Sequence, residues 1–209
     1  MILLLVRHGL TDLTQTRLIG RLPGIPLNAR GRAQAVSAAE RLSVLPVAAI
    51  YCSPMQRTVE TATPLAQRLG MGIQEVPGLL EVDYGEWAGQ EFKALRKSDL
   101  WKVVQQHPAR ARFPGGESLR AAQARIVDTL EEIGDRHPHD IVAAYSHSDM
   151  IRLAVAHFVG MHLDLYQRTE VAPGSVTALQ LGGARPTLLR LSDTGTLEDL
   201  RPPRRRGKN

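Results

Sequence analysis

The sequence predicts an α/β domain, a three-layer sandwich in which helices cover both faces of a mostly parallel sheet. Two observations predict it. Short apolar runs of strand length alternate along the chain with longer segments whose apolar residues recur at helical spacing. Gly, Pro, Ser and Asn residues, which end strands and cap helices, separate most of these segments. The 209 residues, 43% hydrophobic and 22% charged, suit one globular domain and exclude a disordered, collagen-like or coiled-coil chain.

Six short runs are predicted as the strands of the sheet: residues 2–6, 47–52, 73–76, 141–145, 176–181 and 187–191. The first and fourth runs are compact and apolar, which is typical of strands that are buried on both faces. The last two are expected to close the sheet.

Four longer segments are predicted as helices that pack on the sheet. The first is capped by Asn28 and runs to about residue 45, with four residues turned inward: Ala33, Val36, Ala39 and Leu42. The second begins with Ser53 as N-cap and Pro54 at the first helical position, and it ends near Gly70. The third covers residues 118–136 and the fourth about residues 148–159. The third has an apolar face at helical spacing: Leu119, Ala122, Ile126, Leu130 and Ile133.

Residues 78–117 form an irregular excursion that we expect to lie over the domain as a lid. It contains a short basic helix around residues 92–106 and a break at Pro114-Gly115-Gly116. Four aromatic residues in it either bind the organic part of a ligand or pack on the domain: Trp87, Phe92, Trp101 and Phe113.

The formal net charge of +5 comes from the end of the chain. Residues 200–209 hold five Lys or Arg residues and no acid, and without them the basic residues equal the 21 Asp and Glu in number. We therefore predict one domain over residues 1–199 and a basic, disordered tail over residues 200–209, with nucleic-acid binding as a minor alternative. The apolar run at residues 1–6 is too short for a membrane span and has no signal-peptide features. With Cys52 as the single cysteine, this predicts a cytoplasmic protein without a membrane partner.

Two histidines follow predicted strands in the same way, His8 after the first and His147 after the fourth. Ligands of open α/β sheets bind beyond the carboxyl ends of the strands, so both side chains point into one crevice if the two strands are neighbours. Arg7 precedes His8, and Arg57 lies in the first turn of a helix, whose N-terminus attracts anions. A histidine alone is more often structural, but this combination with two guanidinium groups predicts a phosphate pocket.

Other kinds of site lack their motifs. The chain has no His-Glu-x-x-His sequence, paired cysteines or tight carboxylate cluster for a metal, and neither of the common nucleotide-binding glycine motifs. Ser146-His147-Ser148 lacks the glycines of a serine-hydrolase elbow. We therefore expect no metal.

Phosphoryl transfer through a histidine needs a nucleophilic imidazole, donors for the phosphoryl oxygens and an acid for the leaving group. His8 can attack while Arg7, Arg57 and His147 hold the oxygens. The residues alone rank the candidate acids poorly, with the first of them preferred and the others open: Glu81, Asp83, Glu86 and Asp149.

Several motifs follow one another along the chain: Leu5-Val6-Arg7-His8-Gly9-Leu10-Thr11, Gly20-Arg21, Pro26-Leu27, Gly31, Gln34-Ala35, Ser53-Pro54-Met55-Gln56-Arg57-Thr58-Val59-Glu60-Thr61-Ala62, Glu81-Val82-Asp83-Tyr84-Gly85-Glu86-Trp87-Ala88-Gly89, Pro114-Gly115-Gly116-Glu117-Ser118 and Ser146-His147-Ser148-Asp149-Met150-Ile151-Arg152. Over residues 1 to about 180 this series resembles the histidine phosphatase superfamily, in its phosphoglycerate-mutase-like branch. The resemblance implies that His8 is the phosphorylated nucleophile and Glu81 the general acid and then base, with Arg7, Arg57 and His147 as the phosphate pocket. It also implies a mixed six-stranded sheet and no cofactor.

The chain departs from the family pattern at three places. Leu10 stands where Glu or Gln is common, Thr14 where many members carry a pocket Asn, and Ser148-Asp149 where Gly-Gly is familiar. Asp149 places an anion near the pocket unless its side chain points away. We predict that Thr14, Gly20 and Ser148 contact substrate in addition to the residues of the phosphate pocket and Glu81.

These residues predict a cofactor-independent phosphatase that hydrolyses small phosphomonoesters through phospho-His8. The main alternative is a phosphoglycerate mutase, which needs extra cations near the pocket mouth, and the excursion offers six: Lys93, Arg96, Lys97, Lys102, Arg110 and Arg112. A non-catalytic module that binds a phosphorylated ligand or nucleic acid is a third interpretation, disfavoured because the catalytic set is complete. The expected partner is a small phosphorylated substrate, and a homodimer is a further expectation.

Overall fold

A single six-stranded sheet forms the middle layer of the structure, a computed structural model that describes residues 1–182 and 185–195. In chain order its strands are β1 (Ile2–Arg7), β2 (Val47–Cys52), β3 (Ile73–Glu75), β4 (Ile141–Ser146), β5 (Val176–Gln180) and β6 (Thr187–Asp193). They lie side by side in the order β3-β2-β4-β1-β5-β6. The four strands on one side are parallel, whereas β5 and β6 are antiparallel to their neighbours. The predicted three-layer sandwich with a mostly parallel sheet is confirmed.

The two faces of the sheet are buried under different helices. Leu3 and Leu5 of β1 face the core shared with α5 (Leu119–Arg136) and α6 (Ser148–Phe158). Leu4 and Val6 face the opposite core, which is shared with α1 (Ala29–Leu42) and α2 (Gln56–Leu69). All four side chains are at most 4% exposed. Burying each of them stabilises the fold by roughly 1.5–3 kcal/mol, which accounts for the continuous apolar run in this strand.

The first helix has the predicted cap but a different buried face. Asn28 caps α1 by accepting a hydrogen bond from the Gly31 backbone N–H at 2.9 Å. The prediction that Ala33 and Val36 point inward is wrong: both are exposed, and the buried residues are Gly31, Ala35, Ala38, Ala39 and Leu42. Gly31 determines which face of α1 is buried, because it packs against the backbone of the loop after β1. The helix also ends at Leu42, three residues earlier than predicted.

The second helix begins later than predicted. α2 starts at Gln56, and its N-cap residue, Met55, forms no side-chain capping bond. Ser53 is therefore not the cap; its hydroxyl is hydrogen bonded to His147 instead, and its carbonyl accepts a bond from Thr58. Gly70 ends the helix in the left-handed conformation, with φ of +64°, as expected for a glycine after a helix.

The excursion at residues 78–117 contains two short helices in place of the one predicted. α3 (Phe92–Leu95) and α4 (Asp99–Gln106) are separated because Ser98 caps the second of them, accepting from the Trp101 backbone N–H. Single turns of 3-10 helix lie at Pro77–Leu79, Gly85–Trp87 and Pro108–Arg110, and a longer one lies at Leu163–Arg168. The prediction for α5 is accurate within one residue, and all five residues predicted to face inward are buried; Ser118, predicted as the first helical residue, is the cap.

The predicted basic tail at residues 200–209 lies outside the described residues. Within the described part of the chain, no helix has the length and apolar character needed to cross a bilayer.

Candidate active site

A crevice opens beyond the carboxyl ends of β1 and β4, and His8 lines it. His147 lies beside His8 but is fully buried and is not among the lining residues, so the prediction that both side chains point into the crevice holds for His8 alone. The strands are parallel neighbours, with Arg7 opposite Ser146. His8 and His147 are each the next residue along their chains, so the sheet places their rings side by side, with centroids 5.3 Å apart and planes at 64°. The adjacency expected from the sequence is therefore present in the fold.

His8 is held with one ring nitrogen engaged and the other free for chemistry. Its Nδ1 lies 2.8 Å from the Gly9 carbonyl oxygen, so Nδ1 carries the proton and donates it, and Nε2 keeps a lone pair. Burial, followed by the positive charges of Arg57 and Arg7, lowers the pKa of His8 well below its usual value. The ring is therefore neutral near pH 7. A Cβ on Gly9 would lie 2.5 Å from the Gly31 carbonyl oxygen, so this loop needs a glycine directly after the histidine.

Two guanidinium groups supply the positive charge of the crevice, Arg57 buried and Arg7 partly buried. Arg57 is 1% exposed; its Nη2 donates to the Gly20 carbonyl at 2.7 Å, while its Nε and Nη1 have no partner among the described residues. Arg7 donates to the Val171 carbonyl at 2.5 Å, and its Nε is likewise without a partner in the described chain. Burial lowers the pKa of Arg57 to about 10, so the group remains a cation at neutral pH. Buried donors without partners next to a crevice are suited to an anion such as phosphate.

His147 is fixed by contacts to two of its neighbours. Its Nδ1 lies 3.2 Å from Arg57 Nη2, which can only donate, so Nδ1 accepts and the ring proton sits on Nε2. Nε2 donates to the Ser53 hydroxyl at 2.8 Å. Burial, and then the charge of Arg57, lowers the pKa of His147 well below its usual value. This contact was not predicted, because Ser53 also fits the pattern of a helix cap. The available signal is that Ser53 follows β2, the neighbour of β4, as His147 follows β4.

Glu81 lines the same crevice and is 8% exposed. Burial raises its pKa to about 7, with a further contribution from the negative charge of Asp149. Its Oε1 accepts a hydrogen bond from the Val82 backbone N–H at 3.0 Å. Near neutral pH both the acid and the carboxylate are therefore populated, which is what a group that donates and then accepts a proton requires.

The segment that carries Glu81 is held by charged residues that the sequence analysis did not single out. Arg125 on α5 donates to the Gly78 and Leu80 carbonyls, at 2.7 and 2.9 Å, and to Glu117 at 2.7 Å. Arg21 donates to the Glu81 carbonyl at 2.8 Å and to Glu117 at 3.0 Å. The sequence did contain a signal for Arg125: it lies next to the buried face of an amphipathic helix, and a charge in such a position needs partners.

The four candidate acids separate in the structure. Glu81 and Asp149 line the cavity, whereas Asp83 lies 3.6 Å from Arg21, and neither Asp83 nor Glu86 is among the lining residues. Asp149 points toward the cavity: it accepts from the Tyr84 hydroxyl at 2.7 Å and from Arg152 at 3.3 Å.

The predicted substrate-contact residues Thr14, Gly20 and Ser148 all line the cavity. Thr14 has little free bonding capacity, because its hydroxyl is 2.9 Å from the Thr11 hydroxyl and 3.0 Å from the Thr11 backbone N–H. Gly20 offers its carbonyl to Arg57, from a backbone with φ of +57° that favours glycine.

The cavity measures about 490 Å³ and extends from His8 to the helices of the excursion. Phe92 and Trp101 from the two lid helices contribute to its wall. Of the six lid cations considered for a mutase, Arg96 lines it and the other five do not. Among the described residues there is no group of three or more His, Cys, Asp and Glu side chains arranged to hold a metal ion.

Comparison with known proteins assigns the chain to a family. The model of the histidine phosphatase superfamily (branch 1) matches residues 3–194. Phosphoserine phosphatase 1 of Hydrogenobacter thermophilus is 29% identical over 198 residues, covering 92% of each chain. The adenosylcobalamin/alpha-ribazole phosphatase of Escherichia coli is 24% identical over 189 residues, covering 88% of this chain and 92% of that protein. The solved structure of YhfR from Bacillus stearothermophilus superposes with a TM-score of 0.86 at 27% identity, over 92% of this chain and 96% of the other.

These relatives confirm the predicted class, phosphatase activity of the histidine phosphatase type. The family match spans the blocks that carry Arg7, His8, Arg57, Glu81 and His147. The chain belongs to branch 1 of the histidine phosphatase superfamily.

Proposed function

We propose that the protein hydrolyses small phosphomonoesters in two steps, without a metal ion, by way of a phosphoryl group carried on Nε2 of His8. One observation carries the proposal. One cavity is lined by a neutral imidazole with a free Nε2, by two guanidinium groups whose buried Nε atoms have no partner among the described residues, and by a carboxyl group whose pKa is about 7. These are the nucleophile, anion site and proton donor that the reaction needs.

In the first step the Nε2 lone pair of His8 attacks phosphorus, and the bond from phosphorus to the ester oxygen breaks. Glu81 in its acid form gives its proton to that oxygen, so the product leaves as an alcohol. Arg7 and Arg57 bind the other phosphoryl oxygens, while His147, whose two ring nitrogens are engaged by Arg57 and Ser53, holds Arg57 in place. Arg57 Nε and Nη1, which have no partner in the part of the chain that the structure describes, are suited to this because they exchange an unsatisfied buried state for charge-assisted hydrogen bonds.

In the second step water attacks the phosphoryl group of phospho-His8. The Glu81 carboxylate takes a proton from the water, the bond from phosphorus to nitrogen breaks, and inorganic phosphate forms. His8 regains its lone pair and Glu81 regains its proton, so the enzyme returns to its starting state. Hydrolysis is favoured over transfer to a second hydroxyl because five of the six lid cations proposed for a mutase do not line the cavity.

The remaining expectations stay part of this proposal. A cytoplasmic location is proposed from the single cysteine, Cys52, because one cysteine cannot form an internal disulfide. A small phosphorylated substrate is the proposed partner. A homodimer, and the order or disorder of residues 200–209, remain predictions.

The test is phosphate release from p-nitrophenyl phosphate between pH 5 and 8 with EDTA present. We expect the wild type to turn over and the His8→Ala variant to be inactive, with a radiolabelled phosphoryl group trapped on the wild type by rapid quenching. His139→Ala is the matched control, because this histidine is exposed and does not line the cavity. Full activity in His8→Ala, or loss of wild-type activity in EDTA, would overturn the mechanism.

A further inference from the structure

Five aromatic side chains form a continuous line along the cavity, from the phosphate end to the lid. Their rings contact one another in sequence: Tyr84 and Phe113 at 4.9 Å, Phe113 and Trp87 at 5.4 Å, Trp87 and Trp101 at 6.3 Å, Trp101 and Phe92 at 6.3 Å. All five line the cavity, and we call them the aromatic wall. Tyr84 stands at the phosphate end, where a Cβ on Gly20 would lie 2.9 Å from its ring.

The outer end of the aromatic wall offers surface to a ligand. Tyr84, Phe113 and Trp87 are buried, but Trp101 and Phe92 are only partly buried. They are held in place, because the cap at Ser98 accepts from the Trp101 backbone N–H and the lid helices bury Leu95 and Val104. Partly exposed aromatic faces on a fixed support favour binding of another flat, apolar group.

The cavity is larger than a small phosphorylated acid requires. Its volume of about 490 Å³ lies within the range of roughly 300–1,000 Å³ in which proteins enclose organic ligands the size of a drug molecule. The phosphate end occupies only the part around the histidines, so the space beside the aromatic wall is available to the leaving group.

The charges next to the phosphate end do not suit a carboxylate leaving group. Arg152 is already paired with Asp149 at 3.3 Å and with Glu170 at 3.1 Å, and Asp149 itself repels a second anion. Arg17, also in the lining, is paired with Glu91. Beyond Arg7 and Arg57, Arg96 is the lining cation without an ion pair in the described residues, and it stands exposed on the lid beside the aromatic wall.

We propose that the leaving group of the preferred substrate carries a flat aromatic ring, as in a nucleoside-type phosphomonoester, and that this ring binds against Trp101 and Phe92. This inference rests on the proposed function, since it names the substrate class of the same site. Stacking on Trp101 provides affinity, and Arg96 can donate hydrogen bonds to the edge of the ring. Asp149 disfavours small phosphorylated acids such as phosphoglycerate and phosphoserine.

The test compares adenosine 5′-monophosphate with ribose 5-phosphate, which present the same primary phosphate ester with and without the base. We expect kcat/KM to be at least about tenfold higher for the nucleotide, a ratio that follows from stacking on an aromatic side chain. In Trp101→Leu the ratio should fall toward one, and Trp101→Phe should restore most of it. Phe158→Leu is the matched control, because this ring is partly buried but lies outside the cavity, and the ratio should stay at the wild-type value.

Two results would overturn the inference while leaving the proposed function intact. One is that the wild type hydrolyses ribose 5-phosphate with about the same kcat/KM as adenosine 5′-monophosphate. The other is a higher kcat/KM for 3-phosphoglycerate than for the nucleotide, lost in Arg96→Gln, which would make Arg96 a carboxylate site. If no ester is hydrolysed, the proposed function fails. The aromatic subsite can then be tested by calorimetry, by measuring how tightly His8→Ala binds adenosine 5′-monophosphate and ribose 5-phosphate. Tighter binding of the nucleotide supports the subsite, and equal binding refutes it.

Discussion

Replacing Glu81 by Gln tests the proposed general acid through its pH dependence. With a pKa of about 7, Glu81 is about nine-tenths protonated at pH 6, about half protonated at pH 7 and about one-tenth protonated at pH 8. A carboxyl group at its ordinary value of 4.5 would be protonated in only about one molecule in 300 at pH 7. The first step of the wild-type reaction should therefore slow about tenfold per pH unit above pH 7.

The assay is single-turnover release of the alcohol from ribose 5-phosphate and of p-nitrophenol from its phosphate ester. An alkoxide is a poor leaving group and needs the proton, so Glu81→Gln should slow release of ribose by about 10²–10⁴-fold and abolish the fall above pH 7. p-Nitrophenolate is stable without protonation, and its release should slow much less. An unchanged pH profile in Glu81→Gln, or equal losses for both esters, would refute the assignment of Glu81 as the acid.

Asp149 provides a second variant for the same prediction. Because its negative charge contributes to the raised pKa of Glu81, Asp149→Asn should lower that pKa and move the fall in rate to lower pH. Glu170→Gln is the control, since Glu170 pairs with the same Arg152 but is exposed and does not line the cavity. A fall that moves equally in both variants would assign the effect to Arg152 instead.

Glu81→Gln should also change how the free energy of unfolding depends on pH, and the sign of the change follows from the raised pKa of Glu81. Between pH 4.5 and about pH 7 the unfolded chain ionises Glu81 while the folded protein keeps it protonated, so folding stability is lost over this window and the full penalty is present at pH 8. A rise from 4.5 to about 7 corresponds to a penalty on the order of 3 kcal/mol. Urea unfolding should therefore show Glu81→Gln gaining stability relative to wild type between pH 5 and pH 8; a constant difference would contradict the raised pKa.

Three further substitutions test the framework of the site. Ser53→Ala leaves the Nε2 proton of His147 without its acceptor, so steady-state kinetics should show kcat reduced about tenfold in a folded protein. Gly31→Ala would put a methyl group 2.0 Å from a backbone carbonyl oxygen of the nucleophile loop, so urea unfolding should show a loss of about 1–3 kcal/mol, whereas Gly72→Ala, with open space around it, should show none. Arg125→Met removes the donors that hold the segment of the proposed acid, so kcat should fall more than KM rises; the reverse pattern would contradict a positioning role.

The sheet and the paired histidines follow from local sequence features. Buried strands show as apolar runs, and the first residues after parallel strands meet at one edge of the sheet, so His8 and His147 could be placed together once β1 and β4 were taken as neighbours. Arg57 could be placed because its helix begins at the same edge. These inferences need only periodicity and the handedness of α/β connections.

Other features depend on contacts that sequence periodicity does not encode. The phase of α1 was predicted wrongly because its alanines occupy several faces, so the apolar pattern does not select one, and the packing of Gly31 on a distant loop does. Ser53 fits the pattern of a helix cap, yet the β2–β4 pairing turns it toward His147. The position of Glu81 depends on Arg125 and therefore on α5, which lies more than 40 residues further along the chain; the family resemblance singled out Glu81, and the local pattern did not.

One physical cause prepares both reactive groups of the proposed mechanism. Burial disfavours the charged form of any group, so it lowers the pKa of His8 and raises that of Glu81, and near neutral pH the nucleophile is unprotonated while the acid still holds its proton. Arg7 and Arg57 act in the same direction on His8 but in the opposite direction on Glu81. The negative charge of Asp149 acts against their effect on Glu81. Burial, with the charge of Asp149 as a second contribution, therefore favours the protonated form of Glu81 in a pocket whose cations favour the carboxylate.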